Sequence, residues 1–219
     1  MTDAHLHAGN PVQTDGADLA DASALVILLH GRGSDAANII QLADVLTPET
    51  NVTTYRIAWV APQATLNTWY PFPFTRPLSE NEPALSSALR RIDELVDEGL
   101  AAGISPERIA LGGFSQGACL SLEYAARGTR SLGFVFGFSG GLIGPPDEER
   151  APLPDLQGLT VFAGCGDADP MIPFEIVERS AARFEAAGAH VTLERYAGVG
   201  HTIVENEILA VRQQLNRFL

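Results

Sequence analysis

Two hydrophobic rhythms alternate along the chain. Short apolar, largely β-branched runs occupy residues 24–30, 55–60, 108–112, 132–138, 159–165 and 191–196, each with the length and flanks of a buried strand. Between them lie segments of three-four periodicity. Over residues 83–102, Leu85, Ala88, Leu89, Ile92, Leu95, Val96 and Leu100 form one stripe, while Arg90, Arg91, Asp93 and Glu94 fill the other face. Pro83 opens that helix and Gly103 closes it. Residues 35–46, 116–126, 173–187 and 203–218 read as helices on the same grounds. Repeated strand–helix alternation predicts an α/β fold, with a mostly parallel central sheet covered by helices on both faces.

Two stretches break the rhythm. Residues 61–82 carry Trp69, Tyr70, Phe72 and Phe74 among four prolines, too irregular for helix or strand. Residues 139–158 are rich in proline and acid and read as a surface connection. No repeat or long linker divides the chain, so its 219 residues are expected to form one domain, with residues 1–23 an N-terminal extension or edge segment.

Charge narrows the partners. The chain carries 27 acidic and 14 basic residues, a formal net charge of −13, and every basic residue is arginine. Such a surface repels polyanions, so nucleic acid and anionic membrane are poor partners and no stable membrane association is expected. Acidity without lysine also resembles adaptation to high salt, although ordinary acidic solubility accounts for it equally well. No apolar run approaches the roughly 18 residues of a spanning helix, and the first 23 residues lack the basic and apolar regions of a signal peptide. A cytoplasmic location is expected. Cys119 and Cys165, the two cysteines, both fall in apolar surroundings and read as buried thiols rather than a disulfide. No cysteine–histidine cluster suggests a metal, and no cofactor is expected. His5 and His7 read as a disordered or edge-strand pair.

The strongest local signal is Gly113-Phe114-Ser115-Gln116-Gly117, a G-x-S-x-G pattern between a predicted strand and a predicted helix. That setting suits a nucleophile elbow. The turn is tight enough to strain the serine backbone, and the flanking glycines let strand and helix approach. A serine hydroxyl needs a base, and His201, in the turn Gly198-Val199-Gly200-His201, has the late position expected of it. The acid that orients such a histidine belongs between the two. Gly166-Asp167-Ala168-Asp169-Pro170 follows a strand and offers Asp167 and Asp169, and spacing alone does not choose between them. Backbone N–H groups of an oxyanion hole are expected from Gln116, directly after the nucleophile, and from Arg32 in Leu29-His30-Gly31-Arg32-Gly33. A glycine-rich turn of this kind can also cradle phosphate, but the Walker lysine is missing.

In order, LHGRGS, GGFSQGA, GDADPMIP and GVGH resemble the signature blocks of the phospholipase/carboxylesterase family of α/β-hydrolases, which includes acyl-protein thioesterases and small carboxylesterases. The resemblance runs from about residue 24 onward. It implies an α/β-hydrolase fold and places the acid at Asp169, with Ile172 where valine is usual, so that Ser115, Asp169 and His201 form the implied triad. Cys165 stands where the family commonly has histidine, and Arg32 replaces a usual apolar residue.

Larger α/β-hydrolases insert a lid domain before the acid. Here only about twenty residues separate the strand ending at Phe138 from the one starting at Leu159, too few for a packed domain. The site is therefore expected to be open, with a substrate pocket formed by Trp69, Tyr70, Phe72 and Ile172. These features point to a serine carboxylesterase acting on neutral esters of short to medium acyl length. The alternatives are a lysophospholipase or acyl-protein thioesterase and, more remotely, a non-catalytic binding module on the same fold. The expected partner is a small-molecule ester, and a homodimer is compatible with the sequence.

Overall fold

The computed structural model describes residues 5–47, 56–146 and 150–218. Seven strands form one sheet: β1 (Val12–Gly16), β2 (Ala24–Leu29), β3 (Ile57–Pro62), β4 (Ile109–Phe114), β5 (Phe134–Phe138), β6 (Thr160–Gly166) and β7 (His190–Tyr196). Their order is β1-β3-β2-β4-β5-β6-β7. Only β1 runs antiparallel, against β3; the other neighbours are parallel. The six predicted strands are all present, shifted by one or two residues, and Tyr55 lies outside the described residues. β1 carries no apolar alternation to announce it. Val12 is its one partly buried residue, because an edge strand with a solvated face needs backbone pairing more than burial.

The alternation of side chains along β2 divides the core. Leu25, Ile27 and Leu29 face one layer with α3 (Ala84–Ala101), α4 (Gln116–Arg127) and α5 (Phe174–Ala186). Ala24, Val26 and Leu28 face the other, with α1 (Ala36–Ile39), α2 (Leu42–Leu46) and α6 (Glu205–Phe218). Burial on both faces explains why the strands read as continuous apolar runs. The helix expected over residues 35–46 is two short helices, because Gln41 N–H bonds back three residues to Asn38 O and breaks the four-residue ladder.

One expected surface connection begins inside the protein. Ser139 and Ile143 are buried, and the chain drops behind α4, where Leu142 N–H donates to Ser180 Oγ at 2.9 Å and Ile143 N–H to the Glu123 carboxylate at 3.3 Å. Proline and acid content further along that segment hid this, since the glycines Gly140 and Gly141 supply the close approach: a Cβ on Gly140 would lie 2.5 Å from the Ala118 Cβ.

Candidate active site

The end of β4 delivers Ser115 in a strained conformation, φ 55° and ψ −117°, directly before the first residue of α4. Its glycine neighbours are dictated by space. A Cβ on Gly113 would sit 2.3 Å from Leu29 O, and one on Gly117 only 2.1 Å from the same oxygen. Strand β2, strand β4 and helix α4 thus meet closer than any side chain permits, and that approach lifts Ser115 clear of the sheet. Ser115 N–H is anchored to Phe138 O at 2.9 Å.

Two further strand ends bring the partners. Asp169 follows β6, and His201 follows β7 in a turn that crosses back over it. That crossing explains Gly166: a Cβ there would meet Val199 O at 2.1 Å. Ser115 Oγ lies 2.9 Å from His201 Nε2, and His201 Nδ1 lies 2.7 Å from Asp169 Oδ2. The second carboxylate oxygen, Oδ1, accepts the N–H groups of Met171 at 2.8 Å and Ile172 at 3.0 Å. Burial alone would raise the Asp169 carboxyl. Hydrogen bonds from His201, Ile172 and Met171 outweigh it, and the acid stays below its ordinary range. It is therefore ionised where a histidine base works. The Phe114 ring lies 4.7 Å from the His201 ring, centre to centre, and walls the imidazole from one side; no sequence signal had marked it.

Asp167 has a different task. Its Oδ1 accepts Gly198 N–H at 2.7 Å and its Oδ2 accepts from Arg195 Nε at 3.3 Å, so it ties down the turn that carries His201 without touching the imidazole. Cys165 Sγ sits 3.7 Å from Asp169 Oδ2, and burial pushes this thiol up to about 12, too high to act as a nucleophile or base. Cys119 is likewise buried, free and pushed up to about 12 by burial.

The loop after β2 lies against the nucleophile: a Cβ on Gly31 would be 3.5 Å from the Ser115 Cβ. Gln116 opens α4, so its N–H has no carbonyl one turn earlier to bond. The Arg32 N–H has no backbone acceptor among the described residues. Neither N–H is thus spent on a backbone partner in the loop or the first turn of α4. His30 holds this loop. Its Nε2 accepts Ala64 N–H at 3.1 Å, which leaves Nδ1–H to donate to Gly31 O at 2.8 Å. Burial lowers its pKa and keeps it neutral.

The expected substrate pocket needs correction. Trp69 and Tyr70 are 0% and 1% exposed, and Ile172 is buried, so these three belong to the core and line no open wall. The Trp69 ring is packed between His30 and His7, at centroid distances of 5.0 and 5.4 Å, and its Nε1–H donates to His30 O at 2.9 Å. His7 is neither disordered nor on an edge strand. It is buried, its Nδ1 accepts Thr65 N–H at 3.1 Å and its Nε2–H donates to Trp69 O at 3.0 Å. Phe72, by contrast, is 47% exposed. Leu66 and Met171 are also exposed, and they lie in segments whose backbones bond the Arg32 loop, through Asn67 O to Gly33 N–H, and the Asp169 carboxylate. A cavity of about 530 Å³ lies elsewhere, against Leu78, Leu142, Ile143, Ile176 and Arg179, and no triad residue lines it.

The arrangement holds a serine, a base and a buried acid in one hydrogen-bonded line, next to the N-terminus of α4 and the loop after β2. Known proteins resemble this chain in fold and sequence. A crystal structure of a phospholipase/carboxylesterase from Dyadobacter fermentans is 40% identical, superposes with a TM-score of 0.86 and aligns over 95% of this chain and 97% of its own. The Bacillus cereus carboxylesterase, 19% identical with a TM-score of 0.72 and full coverage of both chains, shares the fold. An acyl-protein thioesterase 1 of Gibberella zeae is 30% identical over 143 residues, 64% of this chain and 61% of its own length. A probable carboxylesterase of Oryza sativa is 30% identical over 142 residues, 64% of this chain and 60% of its own. The match thus spans about three fifths of those curated relatives. The phospholipase/carboxylesterase family model matches residues 17–219, and with its seven-stranded sheet, its strained Ser115 and its Ser–His–Asp line the chain belongs to that family of α/β-hydrolases.

Proposed function

We propose that the chain is a serine carboxylesterase that hydrolyses neutral esters of short to medium acyl length through an acyl-enzyme on Ser115. One observation carries this reading: the unbroken line from Ser115 Oγ through His201 to the buried Asp169 carboxylate, at 2.9 and 2.7 Å. Ser115 Oγ attacks the ester carbonyl as its proton passes to His201 Nε2, and Asp169 stabilises the imidazolium through Nδ1–H. The negative charge that develops on the carbonyl oxygen is met by the N–H groups of Arg32 and Gln116 and by the N-terminal end of α4. His201 returns the proton to the departing alkoxide, which leaves as alcohol. Water then attacks the acyl-serine as His201 takes its proton, and His201 gives that proton to Ser115 Oγ as the carboxylic acid leaves.

Exposed apolar side chains and the charge support this substrate class. Leu66, Phe72 and Met171 offer exposed apolar surface for an acyl group. The net charge of −13 disfavours approach to an anionic lipid surface. Among the described residues no helix is long and apolar enough to cross a membrane. Relatives named as acyl-protein thioesterases make a thioester the competing substrate class. Assaying p-nitrophenyl esters of increasing chain length beside a lysophospholipid and an acyl-thioester separates these readings. The expected result is turnover that peaks at short to medium esters and vanishes in Ser115→Ala. A clear preference for the thioester or the lysophospholipid would replace the ester reading.

A further inference from the structure

We propose that the Arg32 guanidinium is a positioning group that fixes the oxyanion hole by gripping the aromatic loop at residues 68–72. The inference rests on the reading of Ser115 as nucleophile and of the Arg32 and Gln116 N–H groups as oxyanion donors. Arg32 is solvent-exposed and pairs with no carboxylate among the described residues; its bonds go to neutral acceptors. Nη1 donates to Thr68 Oγ1 at 3.0 Å and to Pro71 O at 2.9 Å. Nη2 donates to Tyr70 O and Phe72 O, both at 2.9 Å. A planar fork meets a curved row of carbonyls, which a point-charge ammonium cannot match.

The other oxyanion residue grips the same loop. Gln116 Oε1 accepts Trp69 N–H at 3.0 Å, and its Nε2 donates to Tyr70 O at 2.8 Å. Tyr70 O is thus shared by the side chains of both residues whose N–H groups face the reacting oxygen, and Thr68 Oγ1, 3.2 Å from Gln116 Nε2, is a second shared atom. The loop is a bridge that sets the spacing between two donors lying on separate elements, one after β2 and one at the start of α4. Gly33 N–H bonds Asn67 O at 2.8 Å and closes the frame. Without the guanidinium, Pro71 O and Phe72 O lose the donor it supplies and Tyr70 O keeps one, so the Arg32 N–H is held less firmly. Oxyanion donors act on the transition state more than on bound substrate.

Arg32→Met keeps the backbone N–H and the apolar stem and removes the fork. Steady-state kinetics on p-nitrophenyl butyrate should show kcat reduced about 10- to 100-fold, below the 10²–10³ lost when a donor is deleted outright, with KM within about threefold. Arg32→Lys should recover only part of the loss. Amide hydrogen exchange gives an independent readout: Trp69, Phe72 and Gly33 should exchange faster in Arg32→Met, while the amides of α3 stay protected. Wild-type kcat in Arg32→Met, or unchanged exchange across the loop, would overturn the proposal. A loss that appears in KM alone would assign the guanidinium to substrate binding and overturn it equally. A wild-type protein that turns over no ester would defeat the reading of the site, whereas the exchange experiment would still decide whether Arg32 holds the loop.

Discussion

Replacing Asp169 by asparagine isolates what the buried acid does, and the structure dictates how the amide would sit. Asp169 Oδ1 accepts two N–H groups, from Met171 and Ile172, so the amide oxygen must take that position. The amide nitrogen then occupies the place of Oδ2, 2.7 Å from His201 Nδ1, and presents a donor where an acceptor stood. His201 can meet it only by moving its proton to Nε2. In that tautomer Nε2 cannot accept the Ser115 proton, and the imidazolium has lost its counter-charge. The serine-protease template loses about 10⁴ in kcat on the same change, or about 5.5 kcal/mol of barrier, and a similar loss is expected here. KM should move little, because Asp169 is buried behind the imidazole. Asp167→Asn provides the contrast. Its contacts are Gly198 N–H and Arg195, and an asparagine oxygen can still accept the former, so kcat should fall less than about tenfold. Steady-state kinetics of both variants, after near-native melting curves have been confirmed, decide the matter. The reasoning fails if Asp167→Asn is the crippled variant, or if Asp169→Asn keeps wild-type kcat.

Three further outcomes follow from the same structure. Glu207 is buried with Oε2 accepting Val204 N–H and Oε1 unpartnered, and burial first, with Glu194 and Asp169 adding to it, pushes its pKa up to about 7 from 4.5. Between those pH values the unfolded chain releases a proton that the folded chain keeps, so this group's contribution to stability is full below about pH 4.5 and falls by up to about 3 kcal/mol as pH rises to 7. Glu207→Gln should therefore gain stability over wild type progressively across that window in denaturant titrations, and a pH-independent difference would contradict this. Gly117→Ala drives a Cβ to 2.1 Å from Leu29 O and 2.8 Å from His30 O, both backbone atoms, so at least about 1–3 kcal/mol of stability should be lost together with ester turnover; a melting curve like wild type's would refute the packing argument. If acidity without lysine reflects salt adaptation, the melting temperature should climb from low to molar NaCl as repulsion among the net −13 is screened, and a flat or falling trend would end that idea.

The fold was legible where burial acts on both faces of an element. Strands β2 to β6 announced themselves because the sheet is covered on both sides there, whereas β7, an edge strand with no fully buried residue, showed through its β-branched and aromatic content, and G-x-S-x-G carried its own steric reason in Gly113 and Gly117. What the sequence concealed was decided by tertiary partners. Strand β1 exposes nearly all its side chains, so nothing in its pattern marks it. His7 lies in a polar terminal stretch, yet Trp69, Thr65 and Ser87 satisfy its polar atoms and allow its burial. The aromatic loop looked like a substrate wall, but Trp69 and Tyr70 turn inward and only Phe72 stays exposed, while the carbonyls of residues 70–72 turn toward Arg32 and Gln116. Spacing left Asp167 and Asp169 equal and the resemblance of the GDADPMIP block chose Asp169; the physical reason, the orientation of one turn, appears only in the structure.

The central claim is that Ser115, activated by His201, forms a covalent intermediate. A fluorophosphonate probe followed by peptide mapping tests it most directly, because only an activated serine attacks phosphorus at neutral pH. One adduct per chain is expected, on the peptide that contains Ser115, and competing ester substrate should slow its formation. In Ser115→Ala both labelling and ester turnover should disappear while the melting curve stays near wild type. Labelling that persists in Ser115→Ala, or a wild-type protein that remains unlabelled while folded, would contradict the account.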